Sequence, residues 1–199
     1  MKVYDISQEV LSCRVYPGDP APKVEQLVSM AKGDVYNMTA LSMCNHNGTH
    51  VDAPAHFIRD GKTIEQMPVD AFVGWCYVAR HHGDVTAEDA RRMLRLSAEA
   101  GAPERLLIAG DATVTLEAAE VFAASTLRLI GNESQSVGPV DAPMAVHLAL
   151  LGKGIALLEG LVLTGVPEGR YLLSAAPLNL AGCEGAPCRA VLTAFGNDE

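Results

Sequence analysis

The hydrophobic pattern changes character part-way along the 199-residue chain. Up to about residue 80, apolar positions fall in short runs broken by turn formers, a strand-and-loop rhythm. Val24–Met30 and Asn37–Cys44 read as strands separated by Lys32, Gly33 and Asp34, and Phe72–Arg80 as a further apolar, aromatic strand. Pro17-Gly18-Asp19-Pro20 reads as a rigid loop. Beyond that point strands alternate with helices. Thr86 with Asp89 three residues on resembles a capping box, opening a helix with Ala90, Met93 and Leu94 on one stripe. Leu106–Ala109 and Leu127–Ile130 predict short strands on either side of an amphipathic helix, Thr115–Ala124. Asp141 is placed to cap a helix carrying Pro143 in its first turn and ending before Gly152 or Gly154. Ile155–Leu158, Tyr171–Ala175 and Ala190–Phe195 complete the strands. This alternation, with no internal repeat or linker, predicts the α/β class in one compact domain.

Composition narrows the function. With 49% hydrophobic and 20% charged residues the chain can build a core. Fifteen Lys and Arg against 24 Asp and Glu give a net charge of -9, and with no basic cluster a nucleic-acid partner is excluded. No apolar run approaches the roughly 18 residues of a membrane span, and the opening Met-Lys-Val-Tyr-Asp-Ile-Ser has no apolar export signal, so a cytoplasmic protein is expected. The five cysteines are scattered, with no C-x-x-C pair, which predicts reduced thiols. Among them Cys44 stands out, two residues before a histidine.

Chemistry concentrates in one stretch, His46-Asn-Gly-Thr-His50-Val-Asp52-Ala-Pro-Ala-His56-Phe57. Three imidazoles and a carboxylate so close together are costly to bury unless a divalent metal satisfies them, since neutral imidazole and carboxylate are its usual ligands. A straight strand puts these even-numbered positions on one face, but from His46 to Asp52 it would run about 20 Å at about 3.3 Å per residue. The chain therefore has to bend, with Gly48 the place to do so and Pro54 stiffening the exit. His147 falls mid-helix among apolar residues, and Glu159 ends the strand-like Ile155–Leu158 run where α/β folds place their sites. Alone, each has an ordinary structural explanation; together they complete a candidate two-metal set. The pair His81-His82, in a polar turn, reads as surface.

The twelve-residue stretch resembles the H-x-G-T-H-x-D-x-P-x-H-F signature of the cyclase family, whose best-known members are the bacterial kynurenine formamidases. The resemblance takes in the Pro17-Gly18-Asp19-Pro20 loop, the His147-to-Glu159 spacing and the late Gly185-Ala-Pro187-Cys-Arg189-Ala190 run. It implies a swivelling β/β/α fold spanning residues 1–199 and a homodimer or homotetramer. It further implies that His46 and His50 hold one ion, that Asp52 bridges, that His147 holds a second ion and that Glu159 contacts one or both. His56 matches the family's general acid/base. Two departures bear on substrate reading. Tyr16 stands where the formamidases carry a pocket-lining tryptophan, and Gly131-Asn132-Glu133-Ser134-Gln135-Ser136 lacks the aspartate of a Gly-x-Asp-x-x-Ser stretch.

The resulting expectation is a hydrolase of small amides, most like an arylformamidase, using one or two divalent ions, zinc first and manganese second. Two other readings are a metal-dependent cyclase, dehydratase or cyclic-amide hydrolase of isatin type, and a non-catalytic metal-binding homologue. Tyr16 is expected at the substrate and Arg189 in a structural ion pair; Asp19 is expected to cap its own loop, with shaping of the active site or a subunit contact as the alternative. Glu133 and Ser134 stand by for the missing aspartate.

Overall fold

The computed structural model describes residues 1–196. Its strands are β1 (Lys2–Asp5), β2 (Lys23–Val28), β3 (Met38–Ser42), β4 (His50–Asp52), β5 (Val73–Arg80), β6 (Gly83–Val85), β7 (Arg105–Ala109), β8 (Ala112–Val114), β9 (Leu129–Asn132), β10 (Ala156–Glu159), β11 (Gly169–Ser174), β12 (Gly185–Pro187) and β13 (Val191–Ala194). The helices are α1 (Ala87–Glu99), α2 (Leu116–Ala123) and α3 (Met144–Leu151). Nine strands form one sheet in the order β1-β13-β11-β5-β7-β9-β10-β4-β12. Its centre, β5-β7-β9-β10, is parallel, and the flanks pair antiparallel. Parallel neighbours need crossovers, and the three helices supply them.

Strand alternation divides the apolar side chains between two cores. Leu106 and Ile108 of β7 point to the helical side, joining Met93 of α1, Phe122 of α2 and Leu150 of α3. Leu107 and Ala109 point the other way, toward Val51, Phe72, Leu158, Leu173 and Leu192. Ile6, just after β1, donates its N–H to Ala190 O at 3.0 Å and accepts at its carbonyl from Val162 N at 2.9 Å, tying β1's end of the sheet to the chain leaving β10. The sheet is thus curled around its second core.

The helix signals work as expected. Thr86 and Asp89 complete a reciprocal capping box, and Gly152 closes α3. One placement is corrected: Asp141 does not cap α3. Pro143, already at φ −73° and ψ −23°, occupies the cap position itself, and its carbonyl accepts from His147 N at 3.1 Å. The proline ring sets the helical φ, leaving no position for Asp141 at the cap. Strands β1, β4, β6, β8 and β12, of three or four residues each, had no periodic signal to read. Strands β2 and β3 form a hairpin outside the main sheet with solvent on both faces. No helix among the described residues is long and apolar enough to cross a membrane.

The end of β10 is packed to its limit. Gly160 has φ +68°, and a Cβ there would lie 2.3 Å from Gly48 O and 2.4 Å from Gln135 Oε1. Adding a methyl group forces either the left-handed penalty or a displaced loop. Gly160→Ala is expected to cost at least about 2 kcal/mol in chemical denaturation.

Candidate metal centre

The sequence bends where Gly48 allows. Residues 45–49 form a turn with Gly48 at φ +67°, after which the chain enters β4 between β10 and β12. Asn47 fixes the turn, its side-chain oxygen accepting from Cys44 N at 2.9 Å. Gln135 clamps it from above, donating to Gly48 O at 3.2 Å and His46 O at 3.4 Å, and Gln8 in turn donates to Gln135 Oε1 at 2.8 Å. In β4, His50 and Asp52 share a face by simple alternation, and His50 lies directly across from Glu159 of β10.

These placements gather five ligand-type side chains. His46 Nδ1 lies 2.9 Å and His50 Nε2 3.5 Å from Asp52 Oδ1. His147 Nε2 lies 3.7 Å from Asp52 Oδ2 and 3.3 Å from Glu159 Oε1, while Glu159 Oε2 is 3.5 Å from His50 Nε2. Two triads result, His46–His50–Asp52 and Asp52–His147–Glu159, each with ligand atoms within 4.8 Å of one another. Asp52 belongs to both. His50, Asp52, His147 and Glu159 are each no more than 2% exposed.

The imidazoles are aimed. His50 Nδ1 meets Gly48 O at 2.9 Å and His147 Nδ1 meets Pro143 O at 2.9 Å. A carbonyl can only accept, so both Nδ1 atoms carry a proton, which leaves both Nε2 atoms facing the carboxylates. His46 is oriented in reverse: Glu184 Oε1 holds its Nε2 at 3.1 Å, turning Nδ1 toward Asp52. Such an outer carboxylate is how proteins fix the ring of a ligating histidine.

Electrostatics point the same way. Burial opposes charge on His46, but its hydrogen bond to Asp52, followed by Glu184, raises it to about 9. Burial likewise acts against His50 and His147, yet the hydrogen bonds to Glu159 leave both raised. Asp52 is held well below the carboxylate range, the His46 hydrogen bond and surrounding imidazoles overcoming its burial. Even so, Asp52 Oδ2 is buried without a hydrogen-bond partner. An orphaned carboxylate oxygen facing imidazole nitrogens is a donor set that fits a divalent cation, and a bridging one fits two.

His56 stands apart. It closes the short turn Pro54–His56, stacks on the His46 ring at 4.2 Å, and belongs to neither triad. Burial lowers its pKa and, with Asp52 partly opposing, the charges of His46 and His147 add to that, so it is the imidazole most readily neutral. It opens onto a cavity of about 210 Å³ walled by Tyr16, Phe57 and Pro143.

The family model described as "Putative cyclase" matches residues 4–139. The chain belongs to the Cyclase family. A kynurenine formamidase of Salinibacter ruber is 34% identical over 206 residues, covering 96% of this chain and 97% of its own. Among solved structures, a potential metal-dependent hydrolase with cyclase activity superposes with a TM-score of 0.78 at 28% identity, covering 96% of each chain. Isatin hydrolase A from Labrenzia aggregata superposes with a TM-score of 0.81 at 22% identity over 96% of this chain and 93% of its own, a shared fold.

The three candidate ligands of the signature stretch, His46, His50 and Asp52, come together with His147 and Glu159, with His56 beside them and Tyr16 in the cavity wall. Tyr16 is fixed there by its hydroxyl, which donates to Val140 O at 2.5 Å. Glu184 and Gln135 carry no local signal of this role: each reaches the centre from a distant segment, and Gln135 falls at an unspecified position of the Gly131–Ser136 stretch. Glu133 is absent from the cavity wall; its carboxylate instead accepts Gly110 N at 2.6 Å and Leu163 N at 2.8 Å, tying two loops. Ser134 likewise serves the backbone, its carbonyl accepting Gly160 N at 2.6 Å. Arg189 pairs with Asp5 through Nε at 3.0 Å, and His82 pairs with Asp111 at 2.5 Å, both exposed. Glu184→Gln is expected to weaken divalent-metal binding by about tenfold, read by competition with a chromophoric chelator, without altering secondary structure.

Proposed function

We propose that the protein is a metal-dependent hydrolase of small aryl amides, with N-formyl anilides of the formylkynurenine type as its preferred class. Asp52, shared by two ligand triads beside an uncommitted His56, is the observation that carries this reading. A site built only to hold metal tends to close its ligand shell, whereas a catalytic one keeps an open position. The relative named as a kynurenine formamidase supports the formyl amide, and the related structure named as a potential metal-dependent hydrolase supports the metal.

His46, His50 and Asp52 would hold one ion, and Asp52, His147 and Glu159 a second. Zinc suits this nitrogen and oxygen set, with manganese the alternative. When bound, such an ion lowers the pKa of water from about 15.7 toward 7 and polarises the amide carbonyl. His56 takes the proton from water as a C–O bond forms at the carbonyl carbon. It then delivers that proton to the nitrogen as the C–N bond breaks, yielding a carboxylic acid and an amine. Its lowered pKa keeps it able to accept at neutral pH, and the His46 stack keeps it over the reacting atoms. Tyr16 and Phe57 provide aromatic walls for an aryl ring. Ring-opening of a cyclic aryl amide is the second reading, favoured by Tyr16 in the tryptophan's place.

Chelation is expected to abolish turnover of N-formylkynurenine or formanilide, with zinc or manganese restoring it. His56→Ala is expected to keep its metal while losing at least about a hundredfold in kcat. Equal metal loss in His56→Ala and His50→Ala, measured by elemental analysis, would refute the assigned roles. Turnover of isatin without any formyl amide would move the assignment to the second reading.

The chain is further read as one domain over residues 1–199, cytoplasmic, and assembled as a homodimer or homotetramer. Five free cysteines suit a reducing compartment. The β2–β3 hairpin exposes Val24, Leu27 and Leu41, and a two-stranded ribbon is marginal alone. Seating on a second copy would cover those side chains. Leu27→Glu with Leu41→Glu is expected to lower the mass in analytical ultracentrifugation toward the 21.0 kDa of one chain.

A further inference from the structure

The cavity beside the metal centre has a charged group that the hydrolytic chemistry does not use. Asp19 lines it, on the loop that runs from Tyr16 to Pro20. An aspartate in such a loop ordinarily accepts a neighbouring backbone N–H. Here the loop is closed without it: Asp19 N donates to Tyr16 O at 3.0 Å, and the Tyr16 hydroxyl anchors the loop to Val140. Among the described residues no backbone N–H reaches the Asp19 carboxylate, whose one partner is the Cys44 thiol at 3.7 Å. A thiol is only a weak donor. Asp19 is half-buried, and its carboxylate has no strong partner among the described residues.

The remaining wall gives that charge its meaning. Among the described residues, no Lys or Arg lines the cavity; beyond the metal-ligand set and His56 the lining is Tyr16, Phe57, Gln135, Ser136, Pro143 and Asp19. A substrate carboxylate would therefore meet no cation on the wall and one anion. A primary ammonium would meet a carboxylate with room for a charge-assisted hydrogen bond.

We propose that Asp19 is a specificity-determining residue that selects aryl amides carrying an ammonium group on the part of the molecule away from the scissile bond. The inference rests on the amide-hydrolase reading and adds the charge class of the substrate to it. The ring packs between the aromatic walls, the amide faces the metal centre, and the ammonium is read at the loop.

The test uses metal-loaded enzyme and three N-formyl anilides of matched size, bearing an aminomethyl, a hydroxymethyl or a carboxylate substituent. In the native protein kcat/KM for the ammonium compound is expected to exceed that of the neutral isostere by about tenfold, the scale of a hydrogen bond between charged groups. The carboxylate compound should be the poorest. Asp19→Asn is expected to bring the ammonium-to-neutral ratio within about twofold, Asp19→Glu to recover part of it, and rising salt to erode it in the native protein alone. A native ratio near one, or an Asp19→Asn variant in which all three substrates fall together, would overturn the proposal. Should none of the formyl anilides be cleaved, the amide-hydrolase reading fails on its own terms. Calorimetric binding of the matched aminomethyl and hydroxymethyl anilines to native and Asp19→Asn protein then decides the charge preference separately.

Discussion

Everything at the centre depends on a single carboxylate that the fold buries and only half satisfies. Asp52 is fully enclosed, with one oxygen facing His46 and His50 and the other, unpartnered, facing His147. Taking a carboxylate out of water costs several kcal/mol; His46 at 2.9 Å serves one oxygen, while the other has no hydrogen-bond partner among the described residues and no imidazole closer than 3.7 Å. A divalent cation facing that oxygen would remove the deficit. The arrangement makes sense as a holder of metal and is expensive as anything else.

The sheet is what allows so costly a residue to be held still. β4 is a three-residue strand with little tendency to form alone, yet it is bonded on both sides, by β10 and by β12. That double pairing fixes its register, and the register sets His50 opposite Glu159. A slip of one residue would turn His50 and Asp52 away and bring Val51 in. Val51 is itself buried in the core on the opposite face, so the apolar packing opposes the slip that would dismantle the metal centre.

The site was more legible in the sequence than the frame around it. Even spacing of His46, His50 and Asp52 around Gly48 implies a shared face after a bend, which is the arrangement observed. The longer strands and the capped helices announced themselves by periodicity and by Thr86, Asp89 and Gly152. What escaped was either too short or too distant. Five strands of three or four residues carry no period, and their existence is decided by their neighbours. Glu184 and Gln135 act on the histidine loop from far along the chain, and a contact of that kind leaves no local trace. Asp141 does not cap α3 because Pro143, two residues further on, holds the cap position with a helical backbone angle, leaving Asp141 outside the helix start.

The division of labour within the site follows from where its parts are mounted. The candidate metal ligands sit on strands and a helix, or on a turn clamped from several sides, and their geometry cannot drift without cost to the core. The surfaces that would meet the rest of a substrate, Tyr16 and Asp19, sit on a loop closed by its own turn hydrogen bond and held to the rest of the protein by the Tyr16 hydroxyl and the weak Cys44 thiol contact. Loop residues can be exchanged without disturbing either core, so substrate preference can change while the metal chemistry stays fixed. The chain's own departures from the family pattern at Tyr16 and Glu133 both fall outside the five-ligand cage, and one of them lies on that loop. His56 belongs to the rigid half: its stack on His46 ties this imidazole to the ligand-type side chains, so its position against the cavity does not depend on the loop.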